Sequence, residues 1–174
     1  MKNRKDAGRW RNVVLAAVMV PFGFAMAPVD VAEAAPSPAA KKGGCQVHAV
    51  LASKEGDGEI PRSLEFLRET LKDDQFAAYK SFHLVDKKTI GLAEAKAQSV
   101  TLSTGHQAKV TLLESDAKRL RLHLELTARS GEAPLVRTDY SIEHNGLFMI
   151  QAGKYKQEEV TGKLLFAFQC AARG

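Results

Sequence analysis

Residues 119–127, Arg-Leu-Arg-Leu-His-Leu-Glu-Leu-Thr, decide how the chain folds. Leu120, Leu122, Leu124 and Leu126 fall on one side of a period of two, with Arg121, His123, Glu125 and Thr127 on the other. A helix would scatter these leucines around its circumference, whereas a strand collects them on one face. Leucine is a weak strand former, but strict alternation outweighs so small a preference. The stretch predicts a strand with one dry and one wet face, as antiparallel sheets have.

The same period continues on both sides. Val136, Thr138, Tyr140 and Ile142 alternate with Arg137, Asp139, Ser141 and Glu143. Asn145-Gly146 then supplies a type I′ hairpin turn into a return strand over 147–152. Upstream, Thr104-Gly105 joins strands at 99–103 and 107–114. At the end of the chain, Leu164, Phe166, Phe168 and Cys170 share one face, and Leu165, Ala167 and Gln169 the other. Apolar residues on both faces predict a central strand. The first strand, 45–53, sets Cys45, Val47, Ala49 and Leu51 on one face. After the turn cluster Glu55-Gly56-Asp57-Gly58, Pro61 suits a helix start, and Leu64, Leu67 and Leu71 follow at helical spacing. Phe76 and Tyr79 extend that apolar face. The expected fold class is α+β, mainly antiparallel β. It has sandwich-like sheets of seven or eight strands and one short amphipathic helix after the first strand.

The N-terminal residues read differently. Lys2, Arg4, Lys5, Arg9 and Arg11 face one acid, Asp6, and an uncharged apolar run covers 13–27. Small residues follow, ending in Ala32-Glu33-Ala34-Ala35. Basic end, apolar middle and Ala-x-Ala site are the parts of a secretory signal peptide, expected here over 1–34. The alternative is an anchor that is never removed, but the apolar run is shorter than the roughly 20 residues of a membrane span. Lipidation at Cys45 is excluded because Lys42-Gly43-Gly44 precede it with no apolar residue. Residues 35–44 are expected to form a flexible linker, and 45–172 a single β-rich domain. The protein is thus expected to be exported, periplasmic or secreted, with no membrane span after leader removal.

Taking 34 residues from 174 leaves 140, enough to bury a core without a metal. The leader holds five of the 25 basic and three of the 20 acidic residues, so the remainder carries net +3. Its charges are interspersed, whereas nucleic-acid binding would show a clustered basic stripe. Cys45 and Cys170 lie at opposite ends of the domain, and an oxidising compartment favours a disulfide between them over two buried thiols.

Catalytic and metal motifs are missing from the sequence. His48, His83, His106, His123 and His144 show no ligand spacing and read as solvated surface side chains. Ser130-Gly131 and Ser103-Thr104-Gly105 are turns, not a Gly-x-Ser-x-Gly elbow. Glu125, Asp139 and Glu143 alternate with Arg119, Arg121 and Arg137, a pattern of cross-strand ion pairing rather than acid–base chemistry. No catalytic residue, metal ligand or cofactor is assigned. The feature with the most binding character is the glycine-bounded segment 153–162, read as a loop with Tyr155 between Lys154 and Lys156.

His48-Ala49-Val50-Leu51-Ala52-Ser53, Ile60-Pro61, Leu64, Leu67, Leu71, Phe76, Tyr79 and the later hairpins resemble a group of exported bacterial β-rich proteins. The resemblance implies export and a common fold, and carries over no functional residue. Three functional readings remain. An exported, non-enzymatic interaction or assembly module would bind a protein partner through a sheet edge or through 153–162. A small periplasmic ligand-binding protein or enzyme would need a concave site assembled from distant residues. A secreted inhibitor would need an exposed loop supported by a disulfide.

Overall fold

The alternating leucines form β5 (Arg119–Thr127), all four fully buried, in a computed structural model that describes residues 42–129, 131 and 133–173. The expected leader and most of the linker lie outside the described residues. Around β5 the chain builds β1 (Lys42–Ser53), β2 (Ser81–Ala93), β3 (Ala97–Thr101) and β4 (Gln107–Ser115). It continues into β6 (Pro134–Glu143), β7 (Gly146–Gln157) and β8 (Val160–Arg173). The first strand begins three residues before Cys45, so Lys42, Gly43 and Gly44 belong to the sheet rather than to the linker.

Two four-stranded sheets form, in the orders β2-β1-β8-β7 and β3-β4-β5-β6, with antiparallel pairing throughout. Neighbours are consecutive in sequence except where β8 returns to β1. The fold is therefore an up-and-down meander bent into two layers. One bend is stitched: Ala95, at φ 58°, turns the chain from β2 to β3 and donates its N–H to the Leu112 carbonyl at 2.9 Å. The other bend separates β6 from β7. A paired hairpin was expected at Asn145-Gly146, yet only Asn145 takes a positive φ, 62°. Its N–H donates to the Cys170 carbonyl at 2.9 Å, across to β8. That bond directs β7 into the other sheet, so β6 and β7 each keep an unpaired outer edge among the described residues.

Both faces of the first sheet are dry at its centre. Cys45, Val47, Ala49, Phe166 and Phe168 point inward, meeting the four leucines of β5 and Val110 and Leu112 of β4. Val50, Ala52, Leu165 and Ala167 point outward and are covered by Leu64, Leu67, Leu71 and Phe76. These last come from the expected helix. It is a 3₁₀ segment, Arg62–Leu67, running into one α-helical turn, α1 (Arg68–Leu71), and then a second 3₁₀ turn, Asp74–Phe76. Pro61 sits just before it in an extended conformation, ψ 152°. Where β8 passes β1, Gly162 lies so close that a Cβ would strike the Ala52 carbonyl.

Cys45 and Cys170 are bonded, directly opposite on β1 and β8, with a Cα–Cα distance of 4.1 Å and 125 residues between them in sequence. A cross-link over so long a loop removes much of the unfolded chain's freedom. Cys45→Ala/Cys170→Ala is expected to lower unfolding stability by about 3–5 kcal/mol. Urea unfolding with and without reductant measures this; equal midpoints would show that the bond contributes nothing.

Candidate functional site

The proposed binding segment is not a loop. Ala152 is the extra residue of a bulge against β8, Gly153 follows it at φ 119°, and β7 continues to Gln157. The connection to β8 is only Glu158-Glu159, with Glu158 at φ 53°. A bulge and a turn both use glycine, so Gly153 by itself does not distinguish them. Lys154, Tyr155 and Lys156 therefore stand on a rigid strand at a sheet edge. Strand alternation separates them: Lys154 and Lys156 are exposed, while Tyr155 is partly buried against the main core.

The outer face of the second sheet behaves as a solvated ionic lattice. Glu125 lies opposite Arg137, 3.1 Å away, and 3.9 Å from Lys109, and its bond from Arg137 holds the carboxyl below its usual range. Arg121 pairs with Glu114 at 3.5 Å, and His123 Nδ1 with Asp139 at 2.6 Å. Glu125 and Glu114 lie beside basic side chains and Asp139 beside an imidazole, an arrangement of cross-strand pairs rather than of two carboxylates facing each other.

The histidines divide. His83 is exposed, as expected, and lines a shallow depression of about 240 Å³ with Glu158. His144 ties the open bend together: it meets the Asp116 carbonyl at 3.0 Å and accepts the Ala172 N–H at 3.1 Å. His106 bonds Thr104 at 3.0 Å and packs on Phe166, with ring centroids 5.1 Å apart. His48 overturns the solvated reading, at 2% exposure. It follows the outward set of β1, between Lys87 of β2 and Ala167 of β8, under the ring of Phe66 at 4.4 Å. Strand alternation did place it opposite Cys45, but the covering ring comes from the helical segment, which the β1 sequence does not reveal.

His48 Nδ1 has no hydrogen-bond partner among the described residues. Burial, reinforced by Lys87 and partly offset by the Ala167 backbone, holds the imidazole pKa down to about 4 from 6.5. The folded state thus resists a proton that the unfolded chain takes up near pH 6.5. Stability is expected to fall as pH drops from 6.5 toward 4, by up to about 3 kcal/mol from this group. His48→Leu should flatten that slope. Denaturant midpoints of both proteins across this range decide it, and parallel curves would contradict the assignment.

One concave site joins residues distant in sequence. Ala52, Ser53, Lys54, Glu55, Tyr79, Lys154, Thr161, Gly162 and Lys163 line an open depression of about 450 Å³ at one end of the first sheet. Of these, Lys154, Thr161 and Gly162 belong to the 153–162 segment singled out in the sequence; the others join them only through the tertiary fold. Among the described residues, no group of three or more His, Cys, Asp or Glu side chains could hold a metal ion. No helix among them is long and apolar enough to cross a membrane. The chain matches no family model, no curated protein and no solved structure.

Proposed function

We propose that this chain is an exported, non-enzymatic interaction module that binds a protein partner by adding an acidic, extended segment of it to the free edge of β7. The observation that carries the reading is the β7 edge itself, a twelve-residue strand whose one strand neighbour among the described residues is β8. Backbone groups along such an edge are already extended and supply affinity to an incoming strand. Lys154 and Lys156 set the sign of the partner: their charges oppose a second β7 and favour acidic side chains. The interior speaks for binding over catalysis, since the two sheets meet through leucine, valine and phenylalanine. A cysteine pair oxidised across the central strands suits a compartment outside the cytoplasm.

The test is crosslinked capture of the tagged chain from the envelope and medium of its own host, with the crosslinks mapped by mass spectrometry. A stoichiometric partner crosslinked to residues 146–157, and lost in Lys156→Glu, is the expected result. Crosslinks that map elsewhere, or capture unaffected by Lys156→Glu, would refute the β7 edge as the docking strand.

A further inference from the structure

The depression at the end of the first sheet has an unusual charge arrangement. Lys154 of β7 and Lys163 of β8 are directly opposite in the ladder. Directly opposed side chains share a face, and like charges so placed are destabilising. Lys54, just past the end of β1, contributes a third ammonium to the same hollow. Among the described lysines, Lys72, Lys88 and Lys109 have a carboxylate within 4.0 Å and the others do not. Lys54, Lys154 and Lys163 have none among the described residues, although Glu55 stands on the rim.

The walls around these lysines are fixed. Ser53 is buried, and its Oγ accepts the Glu55 N–H at 3.2 Å. The Lys80 N–H donates to the Ser53 carbonyl at 2.8 Å, and Ser81 Oγ donates to the Glu55 carbonyl at 2.6 Å. Tyr79 is half-buried and packs edge-on to Phe82, ring centroids 6.5 Å apart. Its phenol and the Thr161 hydroxyl add donors, and its ring adds an apolar wall. Gly162 lets β8 approach β1 closely enough to bring Lys163 beside Ala52 and Ser53.

We infer that this hollow is a binding site for a phosphoryl anion, a phosphate ester or diphosphate carried by a small molecule or by a lipid headgroup. Three ammonium groups without carboxylate partners match a multiply charged oxyanion, and the two opposed lysines gain most from one anion between them. The site goes beyond the partner reading: its side chains project from β1, β7 and β8, and it needs no strand added to the β7 edge.

The probe is inorganic pyrophosphate, titrated into the full chain and followed by thermal unfolding and calorimetry against sodium chloride of equal ionic strength. Pyrophosphate at ten times its dissociation constant is expected to raise the midpoint by about 4 °C, with chloride ineffective. Lys154→Gln and Lys163→Gln should each weaken pyrophosphate at least fivefold without lowering the ligand-free midpoint, because each relieves the opposed charges. Lys156→Gln, outside the hollow, should leave binding unchanged. Cosedimentation with phosphatidylcholine vesicles, with and without phosphatidic acid, identifies the source. Binding to the acidic vesicles that pyrophosphate displaces assigns a lipid headgroup; pyrophosphate binding without vesicle binding assigns a soluble ligand. An equal response to chloride, or equal losses in Lys156→Gln and Lys154→Gln, would overturn the site and leave the β7 partner test unaffected.

Discussion

Strands β1 and β8 come from opposite ends of the domain, and their ladder from Lys42↔Arg173 to Ala52↔Lys163 closes the meander on itself. Every other strand pair joins neighbours in sequence, the longest connection being the covering segment between β1 and β2. This pair alone spans nearly the whole domain and must repay a long loop closure. It repays it by being dry on both faces, with the interior core on one side and the helical segment on the other. A slip of one residue would exchange those two sets wholesale, so register is tightly specified, and Cys45–Cys170 fastens it covalently.

The two sheets then differ in kind. The first needs a cover, and Leu64, Leu67, Leu71 and Phe76 provide it over one end. The second turns its outer face to water and fills it with paired charges. Exposed pairs of this sort contribute little stability each. Their effect is to keep the face soluble and to specify which cross-strand neighbours are comfortable. The cover also explains His48, whose ring is sealed beneath Phe66 at the margin of the second cluster, while Gln46, two residues earlier on the same face, is exposed.

Closure at one seam and openness at the other distribute the binding opportunities. The β2–β3 bend is stitched by bridges from Ala93 to Lys96 and from Glu94 to Leu112. At the β6–β7 bend, Asn145 and His144 bond across to β8 and its end instead, leaving two free edges side by side in the chain. The bulge between Gln151 and Gly153 shifts the β7 register and sets Lys154 opposite Lys163.

Much of the fold was legible because alternation and apolar content are local properties of a strand. The leucines of β5, the two-sided apolar pattern of β8 and the spacing of Leu64, Leu67 and Leu71 each name their own burial. The disulfide was legible too, from two cysteines on the inner faces of the first and last strands. What the sequence left open depends on which strand lies beside which. Gly153 could mark a loop or a bulge, Asn145-Gly146 a hairpin or a change of sheet, and His48 a wet or a covered face. Lys54 lies far from Lys154 and Lys163 in sequence and shares no motif with them, and only register and the return of β8 to β1 bring the three together. Periodicity along a chain fixes which side of a strand is dry, but the meeting of side chains from different strands is a property of tertiary pairing alone.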